Sequence, residues 1–376
     1  MKIGALSLFG LLCGLLLAEA ILALAVPQLH RRPRAWQFDS ELGWRHVPGA
    51  LGRLVSPEFD VEYRINSRGL RDSETDPSEA RGKRLVLLGD SFAEGWGVEI
   101  GQAVSEQLEE RLSSGGVPGE VFNFGVAGYG TDQQLLLFER HRRAYAPDIV
   151  LLLFYGNDLW NNALDRGIGI ERGFKPRFVL GPGNSLRLTG VPVRRTRYWD
   201  FDAQLPLDRR VSRYAFEHWH LAALLQKAFS EEVPAAQRRD FYLGLYGTGA
   251  HAERFEKAWR TTARLLLELD TRVRGAGARL LVVYVPAIVQ IEPEDWQNKI
   301  FRFGLLEEEY ALDKPNRRLA GAAAGHGIPF LDLSPAFLAS AVTETLFHRD
   351  SHWNAAGHAR AADTIAGFLY ERSWLR

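Results

Sequence analysis

The sequence has a single cysteine among its 376 residues, Cys13, and no excess of charge of either sign. Because Cys13 is the only cysteine, neither a disulfide framework nor a cysteine metal site is possible within the chain. It lies inside an apolar N-terminal run. The 46 lysines and arginines balance 46 aspartates and glutamates, so net charge gives no reason to expect a nucleic-acid partner. No G-x-x-x-x-G-K-[ST] loop occurs, and the glycines at 125, 128 and 130 do not form G-x-G-x-x-G. P-loop and dinucleotide-binding classes are therefore excluded.

The hydrophobic share of 46% allows a large core and fits one large domain with extensions better than two equal domains. We divide the chain into an N-terminal membrane segment over residues 1–26, a lead-in segment over 27–82 and a main domain over 83–376. Turn-forming prolines punctuate the lead-in segment, and its alternating run Val61–Ile65 predicts a short strand.

The N-terminal run Ile3–Val26 is apolar apart from Ser7, Glu19 and small residues, and it reaches the ~20 residues that a helix needs to cross a bilayer. Two interpretations remain open: an uncleaved signal anchor, which we favour, and a signal peptide cleaved near one of two small-residue sites. Basic residues flank the run on both sides, so the positive-inside rule does not settle its orientation.

After residue 82, short β-rich runs alternate with helical patterns, which is typical of a parallel sheet covered on both faces. The clearest helix is Glu253–Arg274, and the last helix, Ala355–Arg372, follows Asn354 as its N-cap. The predicted strands are Arg84–Leu88, Val121–Phe124, Ile149–Tyr155, Leu280–Val285 and Ile328–Leu331. The fold class is therefore α/β.

The segment Gly89-Asp90-Ser91-Phe92 follows the first of these strands directly, so Ser91 is displayed where the chain must turn. Alone this signal is weak, because a glycine-acid-serine turn also occurs as a helix N-cap after a strand. The G-x-S-x-G elbow of α/β hydrolases is absent around this serine.

Three further blocks follow in order: Gly128 at the end of residues 123–128, Asn157, and the pair Asp350 and His352. Together with Ser91 they supply what acyl transfer needs: a nucleophile in Ser91, a base in His352, an orienting carboxylate in Asp350, and N–H donors for an oxyanion. Carboxyl ends of parallel strands meet at one sheet edge. The sequence therefore predicts one site.

These four blocks resemble those of the SGNH (GDSL-type) hydrolase superfamily. The letters of its name stand for a serine, a glycine, an asparagine and a histidine, which are here Ser91, Gly128, Asn157 and His352. The resemblance covers roughly residues 84–372, leaving out the stretch that follows Asn157. It implies a three-layer α/β/α sandwich with a central parallel sheet of about five strands, and an esterase, deacetylase or acyltransferase activity. It also implies an oxyanion hole made by the Ser91 and Gly128 backbone N–H groups and the Asn157 amide, with no cofactor and no metal.

One departure concerns the acid. Many members of the superfamily have two residues between acid and histidine, whereas only Ser351 separates Asp350 from His352. The form Asp-x-His-Trp-Asn-x-x-Gly, present here from Asp350 to Gly357, also occurs in branches that include polysaccharide O-acetyl-modifying proteins.

Residues 159–252 form the part least like the family. They contain a predicted hairpin over Phe178–Leu188 and then an aromatic and arginine-rich stretch through Trp199, Tyr214 and Trp219. Two interpretations have equal weight: a lid or wall over the serine whose aromatic rings stack on sugars, and a packed cap without substrate contact.

The function we expect is ester hydrolysis through an acyl-serine, on O-acyl and chiefly O-acetyl groups of an extracytoplasmic glycan or another ester. An O-acyltransferase on an envelope polysaccharide and a silent, anchored glycan-binding protein are the alternatives. The expected partners are a small-molecule or glycan ester and the membrane, reached through the N-terminal helix. The resemblance favours a domain outside the cytoplasm, because many SGNH proteins with such a helix act there.

Overall fold

The computed structural model describes residues 2–167, 173–195, 207–229 and 235–375. It begins with helix α1 (Lys2–Ala25), as the apolar run predicts. The stretch Gly4–Ala25 is long and apolar enough to cross a membrane, and it lies outside the packed body of the protein.

Two antiparallel strand pairs form the lead-in segment: β1 (Trp36–Asp39) with β2 (Gly43–His46), and β3 (Leu51–Val55) with β4 (Asp60–Arg64). These strands belong to the core, because Trp44 and Tyr63 are completely buried. The Trp44 indole donates a hydrogen bond to the carbonyl of Ala127, 3.1 Å away, and its ring meets the edge of Tyr129. The segment therefore packs directly against a loop of the main domain.

A five-stranded parallel sheet forms the centre, with the strand order β11-β10-β7-β5-β6. This confirms the predicted α/β class and the strand count. The middle strand carries six apolar residues, and all are buried, as expected where helices cover both faces. The strands are β5 (Lys83–Gly89), β6 (Gly119–Gly125), β7 (Ile149–Phe154), β10 (Arg279–Tyr284) and β11 (Phe330–Asp332).

The connections divide the helices between two layers, because right-handed crossovers that run in opposite directions along a sheet lie on opposite faces. Helix α3 packs with α14 on one face, while α4 and α9 pack together on the other. The helices of the main domain are α2 (Ser91–Glu94), α3 (Val104–Ser114), α4 (Thr131–Tyr145), α5 (Asn157–Ala163), α6 (Leu207–His218), α7 (His220–Phe229), α8 (Ala235–Tyr246), α9 (Glu256–Gly275), α10 (Ile288–Ile291), α11 (Pro293–Phe303), α12 (Lys314–Ala324), α13 (Ser334–Ser340) and α14 (Ala355–Glu371).

The clearest predicted helix differs slightly from the observed one. Residues Ala250–Phe255 form a 3₁₀ turn, so α9 begins three residues later than Glu253. Asn354 does cap the last helix, since its side chain accepts a hydrogen bond from the Gly357 N–H at 3.1 Å.

The stretch after Asn157 divides into three parts. The predicted hairpin is present as β8 (Arg177–Leu180) and β9 (Leu186–Thr189), and β8 packs on α4, α5 and α9. Helix α7 follows α6 after a single residue, Trp219, and α7 packs on α1. Helix α8 lies next to α11 and α12. Trp199 lies outside the described residues.

Replacing Trp44 by Ala should destabilise the protein by about 3–5 kcal/mol, because it removes a fully buried indole and leaves a cavity between the lead-in segment and the main domain. Chemical unfolding of the detergent-solubilised chain, followed by circular dichroism, measures this change. Leu51→Ala is the matched control, since Leu51 lies on the same segment and is 67% exposed. An equal loss in both variants would contradict the role of Trp44 as a core residue.

Candidate active site

The turn after β5 positions Ser91. The Asp90 carboxylate accepts a hydrogen bond from the Phe92 N–H at 2.9 Å and so caps the short helix α2, which begins at Ser91. Gly89 is required at this turn because a Cβ there would lie 2.7 Å from the Ala93 Cβ. The hydroxyl group of Ser91 is thereby held at the carboxyl end of the sheet.

His352 meets this serine from a distant part of the chain. Its Nε2 lies 2.9 Å from Ser91 Oγ, and its Nδ1 lies 3.2 Å from Asp350 Oδ1. Ser351 has a left-handed backbone conformation, with φ of +76°. This tight turn lets the backbone N–H of His352 donate to the same Asp350 oxygen at 3.0 Å. The short spacing between acid and histidine therefore still allows a carboxylate beside the imidazole.

A tryptophan holds the other oxygen of this carboxylate. Trp96 Nε1 donates to Asp350 Oδ2 at 3.2 Å, and the Trp96 ring lies against the imidazole of His352. Burial would raise the pKa of Asp350, but the hydrogen bonds from His352 and its charge outweigh burial and lower that pKa to about 2. Asp350 is thus ionised throughout the neutral range.

Three hydrogen-bond donors lie in the turns that follow β5, β6 and β7. Ser91 is the first residue of α2, so its N–H has no partner within the helix. Gly128 follows β6 in a loop where its φ is +78°, a conformation that favours glycine. Among the described residues, neither backbone N–H has an acceptor. The third donor is the side-chain amide of Asn157, the first residue of α5.

A buried contact fixes the orientation of that amide. Asn157 Nδ2 donates to Asp90 Oδ2 at 2.7 Å, so the Asn157 nitrogen faces the carboxylate. The second N–H on this nitrogen has no acceptor among the described residues. Burial raises the pKa of Asp90, although the hydrogen bonds from Phe92 and Asn157 lower it in part. Asp90 therefore connects the serine turn with the asparagine.

Glu94, on the same short helix as Ser91, is a buried residue that the motif did not reveal. Its Oε1 accepts hydrogen bonds from His46 Nε2 and the Tyr63 hydroxyl, both in the lead-in segment. Its Oε2 accepts the Ala127 N–H at 2.9 Å, directly before Gly128. One carboxylate thus joins the serine helix, the glycine loop and the lead-in strands.

Arg71 makes a second connection from the lead-in segment. Its buried guanidinium donates to the carbonyl oxygens of Glu94 and Gly95, both at 2.9 Å, and to that of Val98 at 2.6 Å. The neighbouring Asp72 accepts the Asn123 N–H at 3.0 Å. Arg71 and Asp72 therefore fix the chain that follows the serine helix.

A small cleft of about 50 Å³ opens between Gly156, directly before Asn157, and Ser351, between the acid and the histidine. Helix α8 forms one wall of the cleft with aromatic and aliphatic side chains. The main lining residues are Tyr155, Phe241, Tyr242, Leu245, Tyr246 and Lys299.

The site residues named from sequence lie together, at the ends of β5, β6 and β7 and in the loop before α14. Sequence reasoning missed Glu94, Arg71 and Trp96. The signal available for Glu94 was an acidic residue within Phe92–Val98, a stretch that is otherwise free of charged side chains. Nothing local marks its partners His46 and Tyr63, which lie more than 30 positions away.

Comparisons with solved structures give likenesses at low sequence identity. An α/β hydrolase from the metagenome of Lake Arreo, Spain, is 17% identical, with 79% of this chain and 98% of that chain covered and a TM-score of 0.40. An acetyl xylan esterase is 13% identical, with 76% and 99% covered and a TM-score of 0.40. A lipase/acylhydrolase from Enterococcus faecalis is 14% identical, with 77% and 96% covered and a TM-score of 0.39.

No curated protein sequence matches the chain significantly. The model of the GDSL-like lipase/acylhydrolase family matches residues 87–360, a range that includes Ser91, Gly128, Asn157, Asp350 and His352. The chain thus belongs to the GDSL-like lipase/acylhydrolase family and is an SGNH-type serine esterase.

Proposed function

We propose that this esterase removes short O-acyl groups, chiefly acetyl, from a glycan outside the cytoplasm. The observation that carries the catalytic part is the continuous contact from Ser91 Oγ through the His352 imidazole to the Asp350 carboxylate, with distances of 2.9 and 3.2 Å. These distances suit proton transfer between the serine and the histidine, and charge stabilisation by the acid.

In the proposed mechanism, neutral His352 accepts the hydroxyl proton through Nε2 while Ser91 Oγ attacks the ester carbonyl. Asp350 stabilises the imidazolium and exchanges no proton. The imidazolium then donates its proton to the leaving alcohol oxygen as the carbon–oxygen bond breaks. Water, deprotonated by the same imidazole, attacks the acyl-serine and releases the carboxylic acid and the free serine.

The tetrahedral oxyanion would lie near the Ser91 and Gly128 backbone N–H groups and the Asn157 amide. Donors that are already oriented stabilise charge which develops only in the transition state. The contact between Asp90 and Asn157 supports this role, because it holds the amide nitrogen in place before substrate binds.

The cleft supports a short acyl group on a sugar. Its volume of about 50 Å³ is far below the ~300–1,000 Å³ of typical small-molecule sites, so a long fatty acyl chain fits poorly. Phe241 and Tyr242 on the α8 wall offer aromatic rings against which a sugar can stack. The wall comes from the stretch after Asn157, so this part of the chain would determine specificity.

We also propose that α1 remains as a membrane anchor with the main domain outside the cytoplasm. Support comes from its 22-residue apolar stretch, none of which packs inside the body of the protein. This proposal is independent of the chemistry at Ser91.

Ser91→Ala and His352→Ala should each lower kcat/KM for p-nitrophenyl acetate by on the order of 10⁴-fold or more, and the double variant should be scarcely worse, because the two residues act as one unit. Asp350→Ala should lose less. The wild-type protein should react with a fluorophosphonate probe and hydrolyse acetyl esters faster than palmitoyl esters. His348→Ala, in the same loop, is the control and should keep most activity. A folded wild-type protein that neither labels nor hydrolyses esters would refute the mechanism.

Asn157→Ala should lower kcat by about 10²- to 10³-fold with little change in KM, since the amide meets charge only in the transition state. Asp90→Asn should cause a similar loss, because it presents an amide nitrogen where Asn157 needs an acceptor. Steady-state kinetics of the single and double variants measure the coupling. If the two losses multiplied in the double variant, Asp90 would not act through Asn157.

Protease added to intact spheroplasts should degrade the main domain if α1 anchors it outside the cytoplasm. Immunoblotting with an antibody against the C-terminal region follows the loss, and a cytoplasmic protein serves as the control for lysis. Protection of the domain until the cells are lysed would refute the proposed topology.

A further inference from the structure

Helices α6 and α7 lack the buried side that a helix of a soluble domain has. None of their described side chains, residues 211–229, is buried. Instead they expose large apolar groups that a water-soluble surface rarely concentrates. These are Val211, Tyr214, Trp219, Leu225 and Phe229, with exposed fractions between 49 and 85%.

Helix α7 is joined to α1 by hydrogen bonds. Glu19 of α1 accepts the backbone N–H groups of His220 at 2.6 Å and Leu221 at 2.8 Å. These are unpaired donors of the first turn of α7, where a carboxylate is also favoured by the helix dipole. In addition, the Gln28 N–H donates to His220 Nδ1 at 2.9 Å. The acidic residue of the apolar helix thus has its partner at the N-terminus of α7.

This contact sets the position along α1 at which the junction between α6 and α7 lies. Glu19 lies six residues before Ala25, the last residue of α1, and a helix rises 1.5 Å per residue. The junction between α6 and α7 therefore meets α1 about 9 Å inside the end of the apolar helix. If α1 crosses a bilayer, the junction between α6 and α7 therefore lies below the membrane surface and not in bulk water.

We infer that the α6–α7 segment, residues 207–229, lies in the lipid–water boundary of the bilayer beside α1, with its exposed apolar side chains against phospholipid. The inference rests on the proposal that α1 is a membrane anchor. Helices that lie in this boundary insert about 5–10 Å, which agrees with the depth at Glu19. Trp219 and Tyr214 are of the residue types concentrated at membrane surfaces.

The polar groups of the α6–α7 segment are consistent with this placement. Arg213 and Glu217 form an ion pair at 2.7 Å, one helical turn apart, and give α6 a charged side. Val211 and Tyr214 lie on a different side of the same helix. The α6–α7 segment would hold the main domain at a fixed orientation to the membrane, which a single flexible anchor does not do.

Single-cysteine variants of the full chain in phosphatidylcholine–phosphatidylglycerol vesicles test this inference. Cys13, the native cysteine, reports on α1. Phe229→Cys and Leu225→Cys, each combined with Cys13→Ser, report on the α6–α7 segment. Ala324→Cys in the same background is the control, because Ala324 is exposed at the end of α12, where the chain enters the sheet at the edge opposite the site. Each cysteine carries a bimane fluorophore, and doxyl-labelled phosphatidylcholine is the quencher.

Labels at positions 229 and 225 should lose about half or more of their fluorescence to a doxyl group near the headgroup, while the label at position 324 should be quenched only by aqueous iodide. Cys13 should be quenched most by a doxyl group deep in the acyl chain. Suppose that iodide quenches the labels at 229 and 225 as much as the label at 324, while Cys13 is still quenched from within the lipid. This result would overturn the inference about the α6–α7 segment and leave the anchor intact. Iodide access to Cys13 would overturn the anchor and, with it, the inference.

Discussion

The arrangement of the site depends on one buried carboxylate, that of Glu94. Two donors from the lead-in segment, His46 and Tyr63, share its first oxygen, and the N–H of Ala127 binds its second. Burying a carboxylate is costly unless it is fully hydrogen-bonded, and replacing Glu94 would remove the acceptor that three buried donors share. This one carboxylate therefore joins the serine helix, the loop of Gly128 and the lead-in segment to one another.

This dependence explains why residues 27–82, which contribute no reacting group, pack so closely against the main domain. The strands bury Trp44 and Tyr63, and the turn that follows them places Arg71 under the carbonyl oxygens of Glu94 and Gly95. A guanidinium that binds three carbonyl groups fixes a loop in position with little freedom. Residues far from Ser91 in sequence thus orient the donors around it.

The fold was predictable because its signals are local and regular. Buried parallel strands such as Ile149–Phe154 are continuous apolar runs, and Asn354 marks the start of a helix by its chemistry alone. The positions of Ser91, Gly128, Asn157 and His352 follow from strand ends and from the family motif. The partners of Glu94 were not predictable, since a hydrogen bond between residues 46 and 94 leaves no periodic pattern. For the same reason Asp90 appeared only as a capping residue, although it also orients Asn157.

The route from the apolar helix to the site is short. Arg31 pairs with Val55 through two backbone hydrogen bonds of 3.0 and 2.9 Å, and the guanidinium of Arg32 lies 5.7 Å from the ring centre of Trp96. Trp96 in turn donates to Asp350. Arg32 lies six positions after Val26, and an extended chain of that length spans at most about 20 Å. Under the proposed anchor, Asp350 would lie close to the membrane surface, and the ester to be cleaved would have to be presented there.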